Sequence, residues 1–173
     1  MGYKTIWEGY QATVKRIPDR PQLGTRNVVL EDGSRDYSWR SFREVYDMQN
    51  AFARGNQLDF FLCSIGLSHM NFCQEQNVDG VKYRFLGIIG KNREEWAIAD
   101  LACMRSSVTI VPFFESLGAD AIAFVLNQTE LSTICCEKKS FATLLKLKKE
   151  GKINGIKALI CFDKVEEDMA KSA

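Results

Sequence analysis

The stretch Gly87-Ile88-Ile89-Gly90-Lys91-Asn92 is the first place where residue types and spacing could bind a phosphate. A phosphate loop needs four residues between its glycines and a Ser or Thr after the lysine, so that backbone N–H groups cradle the phosphate and the hydroxyl reaches magnesium. Here two residues separate the glycines, and Asn92 follows Lys91. The segment therefore does not predict a phosphate loop.

Charged residues also cluster at the start of the helix predicted after this segment. Lys91 and Arg93 stand where exposed N–H groups and the helix dipole favour an anion. An anion site and plain capping with solvated charges are both open, and we favour capping. Glu94 and Glu95 suggest a carboxylate pair for acid–base work, but adjacent helix residues point in different directions. Because acidic residues in a first turn complement the dipole, we predict a structural role for both.

The only histidine, His69, could be combined with Cys63 and Cys73 into a metal site. A structural zinc site needs four ligands at close spacings, and this set does not provide them. A Cys–His nucleophile is not indicated either, because no cysteine stands in an identifiable activating environment. Vicinal Cys135 and Cys136 end an apolar run, which predicts packing on opposite faces of a strand. We therefore predict no catalytic, cofactor-binding or metal-binding residue in this sequence.

The overall charge is nearly balanced, with 23 Lys and Arg against 22 Asp and Glu and a net charge of +1. This balance argues against a nucleic-acid binder, which concentrates positive charge on one face. A lysine cluster lies late in the chain between leucines, and we interpret it as a solvated helix face. It comprises Lys146, Lys148, Lys149 and Lys152.

The six cysteines have no disulfide-framework spacing, and several lie inside apolar runs. Together with an N-terminus that lacks a secretory pattern, they predict a reducing compartment and hence a cytoplasmic location. No apolar run approaches the roughly 18 residues of a membrane span. The sequence therefore predicts no transmembrane segment in this piece.

The first forty residues predict a helix and then a β-hairpin. Apolar residues recur at helical spacing over 6–16, and Thr5 with Glu8 three residues later has the pattern of a capping box. Pro18 follows as a helix stop. Asp32-Gly33 between apolar stretches predicts the turn of a hairpin.

A second amphipathic helix is predicted after the hairpin, with Ser38 as its N-cap. Its apolar face would carry Trp39, Phe42, Val45 or Tyr46, and Phe52. Residues 55–80 are rich in Gly, Asn, Ser and Asp, and predict a loop or surface insertion.

From residue 83 onward strands and helices alternate regularly. Asn92 is predicted to cap the first of these helices with Glu95 closing a capping box, Pro112 to stop the second strand, and Gly118 to cap the second helix. The first helix is apolar on nearly every side, which predicts burial. The predicted strands are 85–89, 108–111, 132–136 and 156–162, and the first and third helices are 93–105 and 139–149.

This alternation predicts an α/β fold: a partial doubly wound parallel sheet with flanking helices, preceded by the N-terminal helix and β-hairpin. Ligands of such sheets bind beyond the carboxyl ends of the strands. A ligand is therefore expected at the loops 90–93, 112–118, 137–139 and at the residues from Asp163 onward. Because the polar segment after the fourth strand soon stops, we expect residues 1–173 to be an incomplete domain.

Residues 85–131 resemble one family in particular. Phe85-Leu86-Gly87-Ile88 and Asn92-Arg93-Glu94-Glu95-Trp96 are similar to the "F-x-G-I … N-R-x-E-W" stretch of long-chain fatty acyl-CoA synthetases, members of the adenylate-forming superfamily. The segment 108–118 is similar to their "V-x-I-V-P-L-Y-D-T-L-G" stretch, and residues 119–122 and 127–131 continue the match. Residues 5–10 and 23–26 resemble the family's opening segments in the same order.

The resemblance implies a parent enzyme that uses ATP and Mg²⁺ to activate a long-chain fatty acid as acyl-adenylate and then transfers the acyl group to CoA. It implies that the chain is the N-terminal part of the large AMP-binding domain. The family's "T-S-G-T-T-G-x-P-K-G" phosphate loop and the lysine of its C-terminal lid domain have no counterpart here. The resemblance therefore carries no catalytic residue onto this sequence, and the chain alone is expected to be inactive. The resemblance is also compatible with peripheral association of the parent enzyme with a lipid-handling membrane.

Two other functions are compatible with the same pattern. One is a self-contained doubly wound module that binds a nucleotide or flavin with the loops at Lys91 and Ser116. The other is a non-catalytic interaction module derived from such an enzyme.

Overall fold

The computed structural model of the chain describes residues 2–54 and 73–165. These ranges contain five helices and seven strands. In chain order they are α1 (Ile6–Arg16), β1 (Pro21–Val29), β2 (Arg35–Ser41), α2 (Phe42–Arg54), β3 (Glu75–Val78), β4 (Val81–Ile89), α3 (Glu94–Ser106), β5 (Thr109–Phe113), α4 (Ala119–Gln128), β6 (Thr133–Cys136), α5 (Lys138–Lys149) and β7 (Ala158–Cys161).

The predicted first helix and hairpin are both confirmed. At α1 the Glu8 backbone N–H donates to the Thr5 hydroxyl over 3.1 Å, and the Glu8 carboxylate accepts from the Lys4 N–H over 2.7 Å. Strands β1 and β2 pair antiparallel. Gly33 has φ +79° in their connecting turn, a conformation that glycine adopts without strain.

The predicted start of the second helix is wrong. Ser38 and Trp39 lie in β2, and α2 begins at Phe42. Ser41 takes the capping role, because the Glu44 N–H donates to its hydroxyl over 3.2 Å and its own N–H donates to the Glu44 carboxylate over 2.7 Å. Pairing with β1 holds the backbone of Ser38 and Trp39 extended, and this long-range contact overrides the local helical spacing.

The predicted loop over 55–80 is wrong at its C-terminal end, while residues 55–72 lie outside the described ranges. Strand β3 pairs antiparallel with the first residues of β4, from Glu75↔Arg84 to Val78↔Val81. The turn residues Asp79 and Gly80 have φ of +51° and +82°, as in a type I′ hairpin turn. An Asp-Gly turn signal was therefore present here as well as at 32–33.

Strands β4, β5, β6 and β7 form the predicted parallel sheet. Strand β4 lies inside it and pairs with both β5 and β6. Within the described residues β5 pairs only with β4. It therefore continues through Pro112 to Phe113 instead of stopping at the proline, since an edge strand tolerates a residue without an N–H.

Helices cover both faces of this sheet, so the doubly wound α/β class is confirmed. Residues alternate between the faces along each strand: Leu86 and Ile88 contribute to a core that includes residues of α2 and α3, whereas Ile89 packs into a second core with α4 and α5. We call these the α2–α3 core and the α4–α5 core. Cys135 and Cys136 divide between them in the same way, which confirms their predicted packing role.

Helix α3 is more buried than a surface helix, as predicted, although Met104 is 38% exposed. Its predicted cap is wrong, because the helix begins at Glu94 with Arg93 at the N-cap and has no side-chain capping bond. The cysteines in the described ranges are free and buried, in line with the sequence prediction; they are Cys73, Cys103, Cys135, Cys136 and Cys161.

A first testable prediction concerns the tight contact between β4 and β6. A Cβ at Gly87 would come within 2.9 Å of Ile134 Cγ1, so we expect Gly87→Ala to lower the free energy of unfolding by about 1–3 kcal/mol through overpacking. Gly90→Ala is the matched control, because a Cβ there meets its nearest atom at 3.9 Å. Urea denaturation of both variants gives the comparison, and equal midpoints would contradict the prediction.

Candidate functional site

The candidate functional site lies at the carboxyl edge of the parallel sheet, where the four strands end together. The register pairs Ile89 with both Phe113 and Cys136, and Cys136 with Cys161, so the last residues of the strands form one row. The loops that follow therefore emerge side by side, as the sequence predicted. Ligands of open α/β sheets bind outside this edge.

Arg93 is the central cation of this edge. Its guanidinium contacts both carboxylate oxygens of Glu95, at 2.7 and 2.9 Å, and a third nitrogen donates to Asp163 over 2.8 Å. The guanidinium also lies 5.5 Å from the ring centroid of Phe162. Its hydrogen bonds with Glu95, which is itself buried, hold the pKa of Arg93 above its ordinary value. The prediction of a solvated charge is therefore wrong for Arg93.

Asp163 joins Arg93 to the start of α5. One oxygen accepts from Arg93, and the other accepts from the Lys138 backbone N–H over 2.7 Å. Burial by itself raises the pKa of this carboxyl, but the Lys138 N–H and the Arg93 charge outweigh it, so the pKa lies below its usual range. A carboxylate at a helix N-terminus is favoured by the dipole as well. Asp163 thus holds the ends of β7, α3 and α5 together.

A second group of charges surrounds Glu137, which directly follows β6. Burial raises the pKa of Glu137, and its hydrogen bond with Glu115 and the negative charge there raise it further, whereas Lys91 opposes the shift. Gly90 packs next to Glu137, since a Cβ on that glycine would lie 4.0 Å from Glu137 Cγ. Two carboxyl groups from different loops are therefore brought together at this edge, and the sequence analysis did not pair them.

The neighbouring carboxylates Glu94 and Glu95 have separate structural partners. Glu94 accepts from Arg40 of β2 over 2.6 Å and so ties the hairpin to α3, while Glu95 binds Arg93. Their structural role is confirmed. His69 and Cys63 lie outside the described residues.

The charges around the strand ends are mixed. Arg93 is held by two carboxylates, and the positive charge of Lys91 opposes the rise in the pKa of Glu137. Three further lysines follow β6 and β7, namely Lys138, Lys139 and Lys164. Within 2–54 and 73–165, no group of three or more His, Cys, Asp or Glu side chains is placed to hold a metal ion.

A cleft of about 700 Å³ lies at the opposite, amino edge of the sheet. Its lining includes Gln76 of β3, whose side-chain amide donates to the carbonyls of Thr129 and Glu130 over 2.9 Å. The carboxyl edge is the better candidate despite this volume, because ligands of open α/β sheets bind at that edge. No helix in the part of the chain that the structure describes is long and apolar enough to cross a membrane.

Comparison with known proteins identifies a family and relatives. The family described as AMP-binding enzyme matches residues 79–173. Long-chain-fatty-acid–CoA ligase 5 of Mus musculus is 30% identical over 169 residues, which cover 97% of this chain and 22% of that protein. Long chain acyl-CoA synthetase 4 of Arabidopsis thaliana is 32% identical over 146 residues, 84% of this chain and 19% of that protein. The chain thus spans about a fifth of the length of these relatives.

Solved structures of the same fold extend the comparison. The adenylation domain of a carboxylate reductase from Mycobacterium chelonae has a TM-score of 0.68 at 18% identity, over 99% of this chain and 25% of that chain. The N-terminal domain of FACL13 from Mycobacterium tuberculosis has a TM-score of 0.63 at 11% identity, over 98% of this chain and 35% of that chain. At these identities the likeness concerns the fold alone.

The Arg93 network makes a second prediction. Arg93→Ala removes the partner of Glu95, which is 7% exposed, and one partner of Asp163, so we expect a loss of about 2 kcal/mol in unfolding free energy. In the control, Arg43→Ala, the broken pair with Asp19 is 60% and 83% exposed, and we expect a loss below about 0.5 kcal/mol. Chemical denaturation measures both. An equal loss of unfolding free energy in the two variants would contradict a stabilising role for the Arg93 network.

Glu137 makes a third prediction, on pH. The pKa of Glu137 is higher in the folded protein than in the unfolded chain, so ionised Glu137 lowers the stability of the fold at a pH above its folded-state pKa. At a pH below the unfolded-state pKa the carboxyl is protonated in both states, and this destabilisation is absent. We therefore expect Glu137→Gln to raise the melting temperature at neutral pH and to leave it nearly unchanged at acidic pH. Glu31→Gln, in the exposed hairpin turn, serves as the control. A destabilising effect of Glu137→Gln at neutral pH would contradict the assigned environment.

Proposed function

The chain belongs to the AMP-binding enzyme family, and on this premise we propose that it forms the N-terminal scaffold of an ATP-dependent long-chain fatty acid–CoA ligase. In the proposed reaction the fatty acid carboxylate attacks the α-phosphate of ATP to give acyl-adenylate and pyrophosphate. The CoA thiol then attacks the acyl carbonyl and releases AMP. ATP, CoA and Mg²⁺ are the cofactors of this proposal, and a long-chain fatty acid is its substrate.

The observation that supports the proposal is the extent of the family match relative to the sheet. Residues 79–173 take in the end of the β3–β4 turn, all four parallel strands and every loop of the carboxyl edge. The relatives named as long-chain ligases or synthetases align over most of the remaining chain as well. The similarity therefore covers the whole parallel sheet and the loops at its carboxyl edge, and is not limited to one short motif.

We propose a positioning role for this scaffold and no catalytic role for its residues. Arg93, Glu95 and Asp163 bind one another and hold three loop ends in fixed positions. The groups that bind phosphates and activate the carboxylate would then come from residues beyond 1–173, in the rest of the large domain and in a lid domain. The isolated chain is inactive under this proposal.

A nucleotide- or flavin-binding module is less well supported. It would use the loops at Lys91 and Ser116, but the carboxyl groups of Glu137 and Glu115 lie together at the same edge of the sheet. These negative charges would repel a phosphate, and Arg93 is already paired. No specific observation favours a non-catalytic interaction module.

We propose a cytoplasmic enzyme that can associate peripherally with membranes where its lipid substrate is found.

The proposal makes a fourth prediction, on the exchange of pyrophosphate into ATP. We expect full-length protein that contains this chain to catalyse palmitate-dependent ATP–pyrophosphate exchange and palmitoyl-CoA formation. Residues 1–173 alone are expected to catalyse neither, because the family's phosphate loop has no counterpart in this sequence. A cooperative melting transition for the short chain is the control that it is folded. Exchange by residues 1–173, or its absence from the full-length protein with every fatty acid tested, would contradict the proposal.

A further inference from the structure

Two cysteines lie side by side at the carboxyl ends of β6 and β7. The parallel register pairs Cys136 directly with Cys161, and both side chains are buried in the α4–α5 core. Neighbouring strands lie about 4.8 Å apart, so the Cα atoms of such a pair fall within the range of roughly 4.4–6.8 Å that a disulfide spans. The fold therefore places two thiols on the same face of the sheet, at a separation that a disulfide can bridge.

The two thiols form an asymmetric pair. The Cys136 thiol donates a hydrogen bond to the Cys161 sulfur, which lowers the pKa of Cys161 and raises the pKa of Cys136. Burial and the Asp163 carboxylate oppose the shift at Cys161, whereas the Asp163 backbone N–H and the charge of Arg93 support it. The pKa of Cys161 lies below its ordinary value as a result. Cys161 is therefore the better nucleophile of the pair, and Cys136 keeps its proton.

Cys73 and Cys103 have a different environment in the α2–α3 core. Burial raises the pKa of Cys73 to about 11, and burial raises the pKa of Cys103 as well. Because the thiolate is the reactive form of cysteine, a buried thiol that stays protonated reacts slowly. These two thiols are therefore an internal reference for the reactivity of Cys161.

The pair lies close to the carboxyl edge of the sheet. One residue, Phe162, separates Cys161 from Asp163, whose side chain is 34% exposed. Within the described residues β7 pairs only with β6, so the end of β7 is held by one neighbouring strand. A small oxidant reaches the buried thiols when this strand end opens locally, a motion that costs less than global unfolding.

We propose that Cys136 and Cys161 form a reversible disulfide when hydrogen peroxide oxidises the protein. The Cys161 thiolate attacks one peroxide oxygen, an S–O bond forms as the O–O bond breaks, and the released hydroxide takes up a proton to become water. The Cys136 thiol then attacks the sulfenic sulfur, an S–S bond forms as the S–O bond breaks, and the hydroxyl leaves as water with the Cys136 proton. Two thiols thus lose two electrons and two protons, and one peroxide is reduced to two water molecules.

The disulfide would join two strands at the point where their loops enter the candidate site. Asp163, two residues after Cys161, binds Arg93 and the Lys138 N–H, so the bond would lie directly beneath the network that holds the loop ends. In a reducing compartment such a bond is transient, because cellular thiols reduce it again. This inference goes beyond the proposed function and does not rest on it, since it requires only the two strands and their register.

The test is peptide mapping of full-length protein that contains this chain, after brief treatment with hydrogen peroxide and alkylation of the remaining thiols under denaturing conditions. Trypsin places Cys136 in peptide 106–138 and Cys161 in peptide 158–164. We expect these two peptides to be linked, and the link to be lost after reduction with dithiothreitol. Cys73 and Cys103 should be oxidised at least about tenfold more slowly than Cys161, because their thiolate fractions are smaller.

Three alanine variants separate the roles of the cysteines. Cys136→Ala removes the thiol that resolves the sulfenic acid, so we expect that acid to persist at Cys161 and to react with dimedone. Cys161→Ala removes the nucleophile, so Cys136 should stay reduced. Cys135→Ala is the matched control: Cys135 lies in the same tryptic peptide as Cys136 but packs in the α2–α3 core, so the link should form as in the wild type.

A cooperative melting transition shows that each variant is folded, and mapping of the wild-type protein decides the proposal if a variant is not. The proposal is overturned if the wild-type protein forms no link between the two peptides at any peroxide concentration that leaves it folded. A link that persists in Cys136→Ala would place the bond at Cys135 and overturn it too. Oxidation of Cys73 or Cys103 as fast as that of Cys161 would have the same consequence.

Discussion

The burial of strand β4 on both faces is the constraint on which the structure depends. Leu86, Ile88 and Ile89 are each at most 1% exposed, and they point alternately into the two cores. A strand of this kind is stable only when helices cover both sides of the sheet. Gly87 also lies so close to Ile134 that the contact between β4 and β6 has no room for a further methyl group. The two helical layers, the parallel register and the common row of strand ends all follow from this arrangement.

The carboxyl edge combines this rigid row with charges that mostly satisfy one another. Arg93 and Asp163 are 70 residues apart in sequence, yet their ion pair fixes the spacing between the loop after β4 and the end of β7. Such an edge can position residues supplied from elsewhere, since its own loops are held in place. Because ligands of open α/β sheets bind outside this edge, the rigid row of strand ends is the candidate site of the scaffold.

The two helical layers differ in how their outer faces are used. The layer of α2 and α3 is partly covered by α1 and by the β1–β2 hairpin, with Trp7 stacked on Tyr46 and Arg40 bound to Glu94. Within the described residues, no comparable cover lies over α4 and α5. Their exposed surface has lysines and Phe124 in place of a packed helix.

The sequence by itself determined the α/β class, the four parallel strands and the loops that meet at the carboxyl edge, because these follow from local hydrophobic periodicity. Hydrophobic alternation also placed Cys135 and Cys136 in separate cores. Only the tertiary structure decided that Trp39 belongs to a strand and that Arg93 binds Asp163. Each depends on a partner distant in sequence or on a competing local signal, such as the helical spacing at Trp39. The pairing of Glu115 with Glu137 is of the same kind, since two loops acquire a common environment only when the strands before them align.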